Sequence, residues 1–553
     1  MPRVFHGDVI IQAAAAAPRV AADGGSVGPP PALAPAAADL HDFDFMFPTL
    51  QADPASLLPQ SADTPARLKD LGRAMEDPGG PDPGEAAIPA VYTYFGQFVD
   101  HDITLEVQPA DLPATLSGTM PNLLAPDMIP LPQAQIQNAI RNSRVATLDL
   151  DNVYGQGAGV PRDAGNGEKL RIGHVSPLNE PEFPEEKPFL RPPNKGDAND
   201  VPRDPRSASD LHDRAALIGD PRNDENTIIA QLHLAFLLAH NVLVDQGHTF
   251  EQARTILRQH YQHIVVHDFL KRVADPAIVD DILQNGNQRY DALADPFFLP
   301  LEFAVAAYRF GHTMVRPDYN FNINFNLSGE PGTAPANLFL LFTFSALSGQ
   351  LGFAPTDTDT LPENWVIQWE NIVDTRTGAP FGKARRLDTK LAGLSHDNPD
   401  LAQGLFRLHD LKGHMEMPPD AARLGVRNLL RGYRLRLPTG QAVAGVLGLP
   451  VLTPAQLQAA AASPAQVQAL QAGGFLERTP LWYYILAEAK HTVSVPAPLL
   501  AANPNIVHQL RVWQQQRRDN NQDPHDYAAF RQHLLAIGAP DPGAQEFVGF
   551  RSN

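Results

Sequence analysis

Apolar side chains recur along this chain mostly with helical spacing and seldom with the period of two that marks strands. Between 224 and 247 they fall at Ile228, Ile229, Leu232, Leu234, Phe236, Leu237 and Leu238, which predicts a strong helix. The stretch 249–273 predicts a second, with Thr249 as N-cap and Gln252 completing a capping box. Residues 276–286, 299–312 and 420–434 have helical patterning as well. Thr453-Pro454 starts an Ala- and Gln-rich helix expected to run until Gly473-Gly474 breaks it. No internal repeat is present. The pattern is that of a mainly α protein, with one large domain over residues 41–553. Residues 1–40, rich in Ala, Pro and Gly, read as a flexible or surface-wrapping arm. The Pro- and charge-dense stretch 176–215, with Arg191-Pro192-Pro193-Asn194-Lys195-Gly196 inside it, reads as a long surface loop.

Composition narrows the function. The 553 residues are 43% hydrophobic and 19% charged, enough apolar material for a packed core around a cofactor. The net charge of −19 argues against binding nucleic acid or anionic lipid, since both need clustered Lys and Arg. There is no cysteine, which excludes disulfides, thiolate metal sites and thioether-linked haem. The N-terminus lacks the basic and apolar regions of a secretory signal, so a cytoplasmic location or signal-independent export is expected. No run of about 18 apolar residues is evident, so no spanning helix is expected.

Four segments carry candidate chemistry. Phe95-Gly96-Gln97-Phe98-Val99-Asp100-His101-Asp102 places two carboxylates around a histidine. On a helix adjacent side chains diverge by about 100°, so the three can serve different partners. The same tripeptide also suits a helix end with a capping Asp and a surface His. Arg309-Phe310-Gly311-His312 closes an apolar stretch. It suits either a buried neutral imidazole ligating iron, with Gly311 admitting a flat ligand, or a satisfied core histidine. Gly219-Asp220-Pro221-Arg222-Asn223-Asp224-Glu225-Asn226 precedes the strong helix, either as a cavity-facing Arg and Glu or as a plain capping turn. Thr147-Leu148-Asp149-Leu150-Asp151 alternates oxygen donors that can wrap a hard cation, although the spacing is not that of an EF-hand.

Together and in this order, the four resemble the signature segments of animal-type haem peroxidases of the peroxidase–cyclooxygenase superfamily, as a bacterial-like member. The resemblance runs from about residue 41 to about 550. It includes Arg427-Asn428-Leu429-Leu430-Arg431-Gly432 and Pro480-Leu481-Trp482-Tyr483-Tyr484-Ile485-Leu486. It implies a helical domain around a central haem b with few short strands. It implies that Gln97, His101 and Arg222 line the distal cavity. His101 would be the base for hydrogen peroxide and Arg222 would stabilise charge as the O–O bond breaks. It further implies His312 as the iron ligand, with Asn428 accepting a hydrogen bond from its imidazole. Asp100 and Glu225 match two carboxylates that form ester bonds to the haem in some members. A methionine that forms a third link in chloride-oxidising members falls here at Asn226. Asp102, the carbonyls of Val145 and Thr147, and the carboxylates of Asp149 and Asp151 match a calcium site. The family usually has Thr where this chain has Val145.

The implied activity is oxidation of small donors (phenols, iodide, bromide, thiocyanate) by hydrogen peroxide through a ferryl intermediate. In the fatty-acid oxygenases of the superfamily a tyrosine stands three residues before the iron ligand. Arg309 stands there in this chain, beside Tyr308. A lipid oxygenase and a non-catalytic adhesion protein of the same fold are the rival readings. His260, His263 and His267 share a helix face at metal-like spacing but read as structural, as do His233 and His240. Gly155-Gln156-Gly157-Ala158-Gly159 lacks the strand–turn–helix setting of a dinucleotide loop.

Overall fold

The computed structural model describes residues 10–11, 19–20, 26–27, 41–76, 85–108, 128–155, 159–177, 196–208, 212–286, 289–290, 298–326, 333–352, 357–373, 382–393, 420 and 423–493. Most of the expected arm, half of the 176–215 loop and everything after 493 lie outside this set.

Helices dominate, as the periodicity predicts. The elements that position the site are α1 (Thr64–Ala74), α2 (Val91–Ile103), α3 (Thr227–Asp245), α4 (Phe250–Ile264), α5 (Pro276–Asn285), α6 (Leu301–Val305), α7 (Leu424–Arg434) and α8 (Leu481–Val493). A sheet of five short strands lies beside them: β1 (Ile10–Ile11), β2 (His41–Asp44), β3 (Glu106–Gln108), β4 (Arg141–Asn142) and β5 (Phe298–Pro300), in the order β1-β3-β4-β2-β5. β1 runs parallel to β3, pairing Ile10 with Val107.

α2 is the central element. Its Phe98 and Val99 pack with Ile229, Tyr261 and Phe269 from α3, α4 and the turn after α4. α1 crosses α7 closely enough that a Cβ on Gly72 would sit 2.6 Å from the backbone nitrogen of Val426. No side chain fits there, which explains the glycine at that point of α1.

Three helices differ from expectation. The stretch 299–312 divides into α6 and a 3-10 segment, Ala307–Met314, with a break at Ala306. His312 therefore sits on a tightened turn rather than at the end of one continuous helix. The helix expected from Thr453 to Gly473 divides into Pro454–Ala460 and Pro464–Ala472. Pro464 cannot continue a helix, and Ser463 caps the second piece by accepting from the backbone of Gln466 at 3.2 Å. α4 keeps its Thr249–Gln252 capping box but is followed by a π turn, Val265–Phe269, before a last α turn, Leu270–Val273, closes the expected stretch. α3, at 19 residues, is long and apolar enough to cross a membrane by length and composition. Most of it is buried inside the fold, as in the core helix of a packed domain.

Candidate active site

α2, the 3-10 segment Ala307–Met314 and the turn before α3 line a partly open cavity. Gln97, Asp100, Glu225, Arg309, Gly311 and His312 are among its lining residues. A Cβ added to Gly311 would meet nothing within 4 Å, so the glycine leaves open space beside His312 where a flat group can approach.

His312 is half-buried. The Asn428 carboxamide, carried on α7, lies 2.9 Å from its Nδ1. The amide nitrogen faces the ring here, whereas the resemblance implies the oxygen. Trp482 of α8 stands edge-on to the imidazole at 6.4 Å, and its indole N–H donates to the Arg309 carbonyl at 3.1 Å.

On the α2 side, Gln97 donates to Glu225 at 2.9 Å and accepts from Asn226 at 3.2 Å. Asp100 accepts from the Thr104 hydroxyl at 3.0 Å, and the Arg309 guanidinium approaches it at 3.7 Å. Glu225 stands immediately before the N-cap of α3, Asn226, whose side chain accepts from the backbone of Ile229.

His101 and Arg222 are not among the residues lining the cavity. His101 is fully buried, with Nδ1 2.7 Å from Oδ1 of Asn223. Burial, and then the Arg222 guanidinium, holds its pKa down at about 4, so the imidazole is neutral at pH 7. Arg222 differs from the expectation of a cavity-facing side chain. Its guanidinium pairs with Asp220 at 2.7 Å and donates to the carbonyls of His101 at 3.1 Å and Thr104 at 2.7 Å. Asp220 also pairs with Arg144. Burial pushes the Asp220 carboxyl up, but Arg222 and Arg144 overcome it and hold the group below the ordinary carboxylate range. Burial pulls Arg222 down, and Asp220 more than offsets it. A buried, doubly paired carboxylate thus fixes the arginine against the end of α2.

The Asp220–Arg144 link and the contacts of Asn223 with His101 and His233 were missed by sequence reasoning. The Asp-Pro-Arg turn was a visible signal. Its partner 76 residues away was not.

His233 carries a pH-dependent part of the stability. Burial lowers its pKa to about 3. An unfolded histidine titrates near 6.5, so below that pH the unfolded chain binds a proton the folded chain refuses. Stability therefore falls as pH falls, by roughly 1.4 kcal/mol per pH unit from this group. Urea unfolding followed from pH 7 to pH 4 should show a shallower decline in His233→Gln than in the parent.

The expected calcium ligands are only partly assembled. Ala146, Leu148 and Leu150 all have φ near +60°, which bends the loop around the buried Asp102. Asp102 accepts from the backbone of Leu150 at 3.2 Å and of Asn152 at 3.4 Å. Burial, and then the charge of Asp151, raises its pKa to about 6. Asp149 turns away: it accepts from the Thr147 hydroxyl and pairs with Arg258 at 3.5 Å. Val145 presents a half-buried backbone position next to this loop. Among the described residues no three His, Cys, Asp or Glu side chains are arranged to hold a metal. Like charges repel, and Arg258 offers Asp149 a better partner. The donor set as it stands does not fit a three-carboxylate calcium site. His260, His263 and His267 form no such group either, although the rings of His263 and His267 lie 4.5 Å apart.

The family model for animal haem peroxidase matches residues 81–339. A peroxidase-like protein of Margaritifera margaritifera is 27% identical over 302 residues, 45% of this chain and 33% of that protein. The chain thus spans about a third of the length of that curated relative. Among solved structures, peroxidase A of Dictyostelium discoideum aligns with a TM-score of 0.44 at 15% identity, covering 76% of each chain. The fatty acid alpha-dioxygenase of Arabidopsis thaliana aligns with a TM-score of 0.41 at 12% identity, covering 78% of this chain and 66% of its own.

Proposed function

We propose that the protein is a haem peroxidase that uses hydrogen peroxide to oxidise small donors such as phenols, iodide, bromide or thiocyanate, a reading supported by the match of residues 81–339 to the animal haem peroxidase family model. The observation that carries the proposal is the shared cavity: His312 lines it together with Gln97, Asp100 and Glu225, while a neutral histidine lies buried one turn along α2 from Gln97.

The residues present fit a haem. His312 would hold it from one side, oriented by Asn428, and Gly311 leaves room for the ring. The bound haem supplies the two-electron chemistry that cleaves peroxide. The protein's own contribution is positional and electrostatic. His101, neutral and buried, can take a proton from peroxide at Nε2 and return it to the leaving oxygen. Gln97, one turn along α2 from His101, lines the cavity with its amide held by Glu225 and Asn226. Arg222, pinned by Asp220, sets a fixed positive charge behind His101. Asp100 and Glu225 offer the two carboxylates for ester attachment. Mass spectrometry of a peroxide-treated, denatured sample should find haem retained on the peptides bearing them.

The direct test is steady-state oxidation of a phenol or iodide by the haem-loaded chain at rising peroxide. Turnover that saturates and needs both substrates is the expected result. A lipid oxygenase is the second reading, favoured by one observation: Tyr308 lines the cavity, with its hydroxyl donating to the Gly96 carbonyl at 3.3 Å. Peroxidase turnover unchanged in Tyr308→Phe would weigh against a radical role for that tyrosine.

A further inference from the structure

We infer that Asn223 is a positioning residue that fixes the proton of His101 on Nδ1, and that His233 holds Asn223 in the orientation this requires. The inference rests on the reading of His101 as the base for peroxide.

Asn223 lies in the 3-10 turn Pro221–Asp224, and its backbone N–H donates to the Asp220 carbonyl at 3.1 Å. Its carboxamide bridges two helices. Oδ1 lies 2.7 Å from Nδ1 of His101 on α2, and Nδ2 lies 2.9 Å from Nδ1 of His233 on α3. All three side chains are fully buried. Phe98 packs against the His233 ring with centroids 6.3 Å apart.

An amide oxygen only accepts, an amide N–H only donates, and a neutral imidazole has one nitrogen of each kind. Oδ1 beside His101 therefore requires the proton on Nδ1, which leaves Nε2 with the lone pair that a base needs. Nδ2 beside His233 requires Nδ1 of that ring to be the acceptor, so its proton sits on Nε2. The two tautomers are linked through one carboxamide. Turning the amide by a half-turn would invert both and leave His101 with a proton on Nε2, unable to accept another. His233 is then a partner of the site rather than a plain core histidine.

The test uses the full chain labelled with [15N]histidine, both loaded with haem in the diamagnetic reduced carbon monoxide form and free of haem. Long-range 1H–15N correlations report which nitrogen of each ring is protonated, and His101→Gln identifies the His101 signals. The expected spectrum has His101 protonated at Nδ1 and His233 at Nε2. In Asn223→Ala the fixed His101 pattern should be lost. The peroxide-dependent rate should fall about 10–100-fold, short of the 10²–10⁴ of losing the base itself, with the donor KM unchanged. Asn223→Asp guards against a variant that fails to fold. Its carboxylate still accepts from His101, so that tautomer and most of the rate should survive. His233 must now donate, so its proton should move to Nδ1. A purely structural role would not move that signal. His101 protonated at Nε2 in the parent would overturn the inference, as would an Asn223→Ala spectrum and rate equal to the parent's. A chain that shows the expected tautomers but no peroxide turnover would sink the peroxidase reading while upholding the placement of the proton.

Discussion

Asp220→Ala is expected to destabilise the fold by about 3–5 kcal/mol, the usual cost of removing one partner from a buried ion pair. The carboxylate is fully buried and serves two guanidiniums, Arg222 and Arg144, both themselves buried. It also accepts from the backbone N–H of Arg222 at 2.9 Å, which caps the 3-10 turn. Removing it leaves two positive charges in the interior without their counter-charge. Arg222 would keep only the carbonyls of His101 and Thr104. Urea unfolding at neutral pH measures the loss. Asp220→Asn should fall between the two, because it retains an acceptor but no charge. A loss below about 1 kcal/mol in Asp220→Ala would mean that the guanidiniums find other partners and that this carboxylate does not organise the site.

His101→Gln is expected to slow the reaction with peroxide by about 10²–10⁴, the range for losing a positioned general base. The residue is fully buried and neutral at pH 7, and Arg222 contributes to keeping it so. Glutamine retains a hydrogen-bonding side chain but cannot accept a proton at neutral pH. The effect should appear in the dependence on peroxide and not in that on the reducing donor. Stopped-flow absorbance at rising peroxide, on parent and variant loaded with equal haem, separates the two. Equal rates in both would remove His101 from the chemistry.

Much of this arrangement was legible in the chain itself. The apolar stripe from Ile228 to Leu238 marks α3, and Thr249 with Gln252 marks the start of α4, because cap and periodicity are local signals. Gln97, Asp100, Glu225 and His312 were picked out from their segments, and the structure brings all four to one cavity. What was not legible depends on distant partners. Nothing near Arg222 in sequence says that it turns to Asp220 and to α2 carbonyls rather than to open space. Nothing near Asp149 says that Arg258, more than a hundred residues on, will draw it from Asp102. The break at Ala306 escaped notice because the apolar pattern continues through it, while the backbone tightens into a 3-10 turn. Pro464 did give a local warning, which the Ala- and Gln-rich composition on both sides obscured.

The central claim is that His312 ligates a haem in this cavity, and its absorption spectrum tests that most directly. The chain should be purified with haem supplied, alongside His312→Ala. The expected result is a Soret band of high-spin, histidine-ligated ferric haem in the parent. That band should shift with one equivalent of hydrogen peroxide and return on addition of a phenol, and it should be absent from the variant. A parent without the band, or a variant that keeps it unchanged, would contradict the assignment of His312 and with it the peroxidase reading.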